Sequence, residues 1–365
     1  MKARININSI AKRAGVSTTT VSNLINGTEK IPISVAKRER IMEVMRAANY
    51  RPSCASSRLR RKQHLSGCAV FIFGSHPVLN AFGVVRNPML GELIAHLDRD
   101  LRAGFGLALE PRAVAAVDSL RSWNETIADA EAVICYGQLD VKLLELTQRR
   151  NIPLVVIAET ATPLTRGVLA APLVVDYVYW NAASHLETML EHVRARGARH
   201  LLFVSSWNIE RNHQTGFAVE AEAKIAKFTE YIAAHPELTG QLFCPPMPTN
   251  TAPYYEGRNV YDAIKGQDAL LAAADTMVGH NDFVAQGVIA ALRDRGLVAG
   301  REVKVTGEGD YPECRYLMPA VTTITYDRQA LSTAVCGILK RKLADNRTLG
   351  ERLPIASHIL IRETA

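Results

Sequence analysis

The stretch Ala14-Gly-Val-Ser-Thr-Thr-Thr-Val-Ser-Asn-Leu-Ile-Asn26 decides how the chain begins. Gly15 breaks a short helix that ends near Ala14, and Ser17 caps the next helix by accepting from a backbone N–H. Behind that cap Val21, Leu24 and Ile25 recur at helical spacing, so one face is apolar. The opposite face carries Thr18, Thr19, Ser22, Asn23 and Asn26. These short groups donate and accept hydrogen bonds, which suits base edges and phosphates in a major groove. Two small helices joined by a tight Gly turn, the second with a polar outer face, read as a helix-turn-helix.

A plain helical hairpin whose Thr and Ser residues merely face water is the competing reading, and charge decides against it. Residues 1–62 hold 14 Lys+Arg against 3 Asp+Glu, whereas the whole chain of 365 residues holds 43 against 36. The basic excess is therefore confined to the head, and the remainder is mildly acidic. Such asymmetry points to a polyanionic partner for the head alone.

Two further helices complete the head. Asn6 caps the first, with Ile7, Ile10, Ala11 and Ala14 inward; the third follows Pro32 with Ser34 as its cap and Ile41, Met45 and Ala48 as its stripe. Lys37, Arg38, Arg40 and Arg46 form its outer side, part solvated face and part phosphate contact. Pro52 biases Arg51 away from helix, so this element should end there. The Arg-dense segment Tyr50-Arg-Pro-Ser-Cys-Ala-Ser-Ser-Arg-Leu-Arg-Arg-Lys62 is too short and Ser-rich for a stable isolated helix. It reads as a hinge that orders against DNA, or as a basic linker.

From about Ser66 the chain alternates short apolar runs with longer helical patterns. Candidate strands are 68–73, 105–109, 132–135, 153–157, 200–204, 276–278 and 302–305. Near-continuous apolar strands between amphipathic helices suggest parallel sheets covered on both faces, with ligand loops at the strands' carboxyl ends. At 365 residues the chain suits a head plus a body of two lobes, each of ~100–200 residues. No apolar run reaches the ~18 residues needed to span a bilayer, and the N-terminus lacks a signal-peptide stretch. The six scattered cysteines form no zinc-spaced pair and look like core fillers rather than a disulfide framework. No nucleophile elbow, Walker loop or metal-spaced His pair argues for an enzyme, and no cofactor or metal is expected.

The chain resembles the lactose-repressor family of bacterial transcription regulators. The pattern A-G-V-S-x-x-T-V-S-x-x-L-N runs from Ala14 to Asn26; S-x-x-x-R-x-R-[IV] falls at Ser34, Arg38, Arg40 and Ile41; the hinge signature falls at Tyr50, Pro52, Ser53 and Leu59. Weaker matches follow at Asn87-Pro-Met-Leu90, Arg196-Gly-Ala-Arg-His200, Asn281-Asp-Phe-Val-Ala285 and Pro319-Ala-Val-Thr-Thr-Ile324. The resemblance implies an all-α helix-turn-helix head (1–51), a hinge helix (52–64) and an α/β two-lobed periplasmic-binding-protein-like body (65–365). Thr18, Thr19 and Asn23 would read bases, and Leu59 would wedge into the minor groove, with Ser56 at a position where the family usually has Ala. The expected DNA-contacting set is Asn6, Ser17, Thr18, Thr19, Thr20, Ser22, Asn23, Asn26, Ser56 and Leu59.

For the body the resemblance implies a sugar-like effector in the cleft, with Asn87, Trp207, His213, Asp282 and Asp310 as the expected contacts. Asp282 is equally readable as a helix cap, Trp207 as core, and His213 as either a donor or a stacking ring. Two motifs depart from the family: R-x-x-G-[FWY] reads His213-Gln-Thr-Gly-Phe217, and G-[FY]-D-[DN] reads Gly307-Glu-Gly-Asp310. The function expected is a cytoplasmic, nucleoid-associated repressor that binds an operator as a homodimer and is gated by a small molecule. A ligand-binding protein of the periplasmic type, without gene regulation, is the alternative.

Overall fold

The computed structural model describes residues 6–26, 33–48, 50, 67–73, 88–112, 119–161, 163, 165–166, 174–205, 216–246, 256–344 and 350–365. The hinge segment 52–64 with Ser56 and Leu59, and the expected effector residues Asn87, Trp207 and His213, lie outside the described residues.

The head is three helices, α1 (Ile7–Ala14), α2 (Thr18–Asn26) and α3 (Val35–Ala47). Asn6 caps α1, its Oδ1 accepting from the Ser9 N–H at 2.9 Å. Gly15 ends α1 at φ 67°, a left-handed conformation that Gly adopts without a side-chain clash. Ile10, Ala11 and Ala14 of α1 meet Val21, Leu24 and Ile25 of α2 and Ile41 and Met45 of α3. Ser34 sits at the start of α3, but its side chain makes no capping bond, contrary to expectation. Helix α3 also stops earlier than Pro52 requires, with Ala48 as its last half-in residue.

The first lobe holds β1 (Cys68–Phe73), α4 (Pro88–Phe105), β2 (Ala108–Arg112), α5 (Leu120–Thr126), β3 (Ala130–Tyr136), β4 (Leu139–Asp140), α6 (Val141–Arg150), β5 (Leu154–Ala158), β6 (Thr165–Arg166) and β7 (Asp176–Tyr179). The second lobe holds α7 (Ala182–Ala195), β8 (His200–Val204), α8 (Gly216–Ala234), β9 (Thr239–Phe243), α9 (Glu256–Ile264), α10 (Asp268–Ala273), β10 (Thr276–Gly279), α11 (Asp282–Arg293), β11 (Lys304–Glu308) and β12 (Thr322–Tyr326). Helix α12 (Arg328–Ala344) returns to pack on α4. Strand β13 (Arg352–Pro354) then closes the first sheet, and β14 (Ser357–Leu360) closes the second.

The first sheet runs β13-β7-β5-β3-β1-β2 and is parallel throughout; the second runs β14-β12-β11-β10-β8-β9, with only β14 antiparallel among its strands. Strand order reverses beside β1 in one lobe and beside β8 in the other. Crevices at the carboxyl ends of strands open at such switch points, so the topology itself aims two ligand surfaces at each other. Complete burial of β1 and β5 explains their unbroken apolar composition.

Two expected strands shift. The run 105–109 splits, because Phe105 ends α4, Gly106 turns at φ 66°, and the strand begins at Ala108. Pro111 is tolerated in that strand because β2 lies at the sheet edge. Likewise 302–305 moves forward to Lys304–Glu308, which carries Glu308 to the strand's carboxyl end.

The head is seated on the first lobe. Helix α2 packs beside α6, Arg38 lies 3.4 Å from Glu145, and Asn151 donates a buried 3.1 Å bond to the Tyr50 carbonyl. Asn151 is the left-handed C-cap of α6, so the head rests on the end of a helix whose β-strand neighbours face the cleft.

Candidate nucleic-acid interface and effector cleft

Helix α2 is pinned from below and open above. Ser17 Oγ accepts from the Thr20 N–H at 3.0 Å and lies 2.8 Å from the Thr20 hydroxyl, so both residues hold the helix entry. Thr18 and Thr19 project from the first turn and are exposed, while Ser22 and Asn23 are half-buried one turn on. Asn26 lies in the last turn of the helix. Asn6 is committed to the α1 cap. The structure thus separates the expected contacts into hydroxyls that frame the helix (Ser17, Thr20) and groups on its outer turn (Thr18, Thr19, with Ser22 and Asn23 following).

The body's polar centre lies between the lobes, at the strand ends. From the first lobe come Tyr136 at the end of β3, Glu159 just after β5, and Trp180 just after β7. From the second come His280 just after β10, Glu308 ending β11 and Tyr326 ending β12. Trp180 stacks on Tyr326 with centroids 4.1 Å apart, joining the lobes across the cleft. Helix α8 adds Glu220 and Lys224, and α7 adds His185.

Lys224 is fully enclosed, yet its ammonium is matched: 2.6 Å to Glu220, 2.9 Å to Glu308 and 3.1 Å to the His280 carbonyl. Three donors meet three acceptors, the condition under which a charge tolerates burial. His185 Nδ1 reaches the other Glu308 oxygen at 2.9 Å. Burial alone would raise the Glu308 carboxyl, but Lys224 and His185 outweigh it and hold it down at about 2. His280 is pushed down to about 4 by burial and by the nearby Lys224 charge. Glu159 goes the other way: burial and the charges of Glu220 and Glu308 raise it to about 8, although the Tyr136 hydroxyl donates to it at 2.7 Å.

Asp282 and Asp310, expected at the effector, are each held by partners within the chain. Asn281, rather than Asp282, caps α11 through the Val284 N–H. Asp282 has no exposed surface; its Oδ1 accepts from the Thr323 hydroxyl at 2.6 Å and its Oδ2 from the Tyr311 N–H at 2.9 Å. It braces β12 to the loop after β11, and burial lifts its carboxyl to about 6. A Cβ at Gly307 would stand 2.2 Å from Asp282 Oδ1, so glycine there is what lets the brace approach. Asp310 pairs with Arg315 at 2.6 Å and Arg362 at 2.5 Å, tying that loop to the chain's last segment.

Outside the cleft, Cys68, Glu110 and Asp129 converge, but on the Arg112 guanidinium, which contacts all three. That cluster is an arginine seat.

Sequence reasoning missed Tyr136, Glu159, Trp180, His185, Glu220, Lys224, His280 and Tyr326. One signal for Lys224 was present: it stands three residues past buried Ala221 and four before buried Phe228, in the apolar stripe of α8. A lysine at such a position must be paired.

Residues 6–53 match the sequence profile of "Bacterial regulatory proteins, lacI family", and residues 190–365 match "Periplasmic binding protein-like domain". The head thus carries the lacI-family domain and the body a periplasmic-binding-protein-like one. The head is of the type found in bacterial DNA-binding regulators, joined to a body of the ligand-binding type. Similar curated proteins include the transcriptional repressor PurR of Erwinia tasmaniensis, 23% identical over 98% of this chain and 96% of that one. The regulator GalR of Escherichia coli is 24% identical over 98% and 94%. Among solved structures, a complex of the regulator CelR with cellobiose superposes at TM-score 0.62, with 16% identity over 99% of this chain and 100% of that one. A lac repressor dimer bound to operator and an anti-inducer gives 0.59, with 17% identity over 99% and 98%. These structural likenesses establish the shared fold. Among the described residues, no helix is long and apolar enough to cross a membrane.

Proposed function

We propose that this chain is a lacI-family repressor that binds a pseudo-palindromic operator as a homodimer, in the cytoplasm on the nucleoid, and that a sugar-type small molecule in the interlobe cleft gates it. Thr18, Thr19 and Asn23 meet base edges, and Asn6, Ser17, Thr20, Ser22 and Asn26 position the head on phosphates and sugars. The hinge, 52–64, pairs with its symmetry mate so that Leu59 wedges into the central minor groove, flanked by Ser56. The head spans 1–51 and the effector body 65–365.

The observation that carries this reading is the seating of the head. A capped α2 with an exposed outer turn is held against α6 by the Asn151–Tyr50 bond, in the lobe that supplies Tyr136, Glu159 and Trp180 to the cleft. An occupant that prefers one arrangement of the lobes therefore moves the platform on which both heads stand. The relatives in sugar complexes, with cellobiose, lactose and ribose, support a hydroxylated occupant.

Gel-shift titration on an operator selected from random duplexes tests it. A site with two inverted half-sites should bind tightly, and deleting either half should cost most of the affinity. Asn23→Ala should lose ~1–3 kcal/mol of discrimination at one base position. Equal binding to whole and halved sites would contradict the dimeric reading.

A further inference from the structure

We propose that the effector is a protonated amino sugar whose ammonium group docks on Glu159 in the cleft, with its hydroxyls reaching Tyr326 and His280. The proposal rests on the reading of the cleft as the effector site and narrows it to one chemical class.

The first support is an imbalance of committed charge. Among the described residues, Glu159, Glu220 and Glu308 share one lysine, and that lysine's three protons are spent on Glu220, Glu308 and the His280 carbonyl. Glu308 additionally takes His185. Among the described residues Glu159 receives only the Tyr136 phenol, on one of its two oxygens. Glu159 and Glu308 both keep some exposed surface, but Glu308 is held on both oxygens and Glu220 is buried against Lys224. The negative charges of Glu220 and Glu308 reach Glu159 and make its proton hard to remove. A ligand cation would take that proton's place.

The second support is independent of charge. The Tyr326 hydroxyl and His280 Nδ1 belong to residues 3% exposed, and neither atom has a hydrogen-bond partner among the described residues. Burial above all, aided by the charges of Glu159 and Glu308 against the nearby Arg328 cation, disfavours ionisation of Tyr326, so its hydroxyl stays a donor. Buried polar atoms left unmatched are costly, and those at a cleft mark where an occupant's groups belong. A neutral sugar would satisfy these two atoms but leave the excess carboxyl charge uncompensated. A sugar acid would add to it. A ring carrying both hydroxyls and an ammonium meets both demands.

Isothermal titration of the full chain at pH 6.5 with D-glucosamine, D-galactosamine, D-glucose and D-galactose tests this. Each amino sugar should bind at least ten-fold tighter than its neutral parent. Heats in two buffers of different ionisation enthalpy should show protons released as the ammonium replaces the Glu159 proton. In Glu159→Gln the ratio should collapse to about one, and Tyr326→Phe should weaken amino sugar and parent alike. Parents binding as tightly as amino sugars, or a preference that survives Glu159→Gln, overturns the amine assignment. If the parents then still bind and still alter operator affinity, the cleft reading stands without it. If none of the four sugars binds, the amine assignment falls, and the sugar-type reading of the cleft falls with it.

Discussion

In the head, Asn6 and Ser17 bond to backbone amides three residues further on; in the cleft, Lys224 is matched by Glu308, 84 residues away in sequence. The first kind of polar contact closes a turn and leaves the remaining polar groups facing outward. The second kind closes a core and satisfies a charge that has no access to water. Both regions are polar, but Thr18 and Thr19 of the head stand exposed, whereas most of the cleft's polar side chains are consumed by one another. On the proposed reading, recognition resides on the outer turn of α2 and on the few cleft atoms left over.

The largest expected effect comes from breaking the consumed set. Lys224→Met leaves Glu220 and Glu308 buried without their cation, and stability in urea at pH 7 should fall by about 3–5 kcal/mol. A loss below about 1 kcal/mol would mean those carboxylates are effectively solvated, and the contrast with the head would dissolve.

Next is the Asp282 brace, read through pH. Its carboxyl is held up at about 6 against an ordinary 3.8, so its contribution is complete below pH 3.8 and is lost as pH rises through 6. Glu308 works in the opposite sense: held at about 2 against 4.5, it supports the fold above pH 4.5 and loses that support as pH falls through 2. Asp282→Asn should flatten the decline in stability between pH 4 and 6, a change of no more than about 3 kcal/mol. A pH profile identical to that of the wild type would place the Asp282 charge in water.

The smallest effect belongs to the head. Gly15→Ala forces an L side chain into φ 67°, costing about 1–2 kcal/mol in a three-helix core of few residues. Calorimetry should show the head melting earlier while the body's transition holds. A common shift of both transitions would show that head and body fold as one unit.

The same contrast explains what could be read from the sequence. Asn6, Gly15 and Ser17 announce their roles because each acts within four residues, and the stripe Val21, Leu24, Ile25 needs only helical periodicity. The apolar strands were legible for the same reason, His200–Val204 to the residue. Strand β9 was not, because Thr239-Gly-Gln is an exposed edge without an apolar run. Asp176–Tyr179 was hidden by its polar first residue, although Lys342 pairs with that aspartate at 2.8 Å. The cleft was least legible, since Tyr136, Glu159, His280, Glu308 and Tyr326 each end or follow a different strand and meet only when two sheets face each other. Glu308 stood in plain view, in a motif position usually aromatic, but its meaning depends on Lys224 from another helix.

The account rests on the head's outer turn distinguishing one DNA sequence from another. Fluorescence anisotropy of the purified full chain, at fixed moderate salt, on a selected operator and on a random duplex of equal length measures this directly. The operator should bind at least about 10³-fold tighter, with both affinities falling as salt rises. Affinities equal within error at every salt concentration would contradict it.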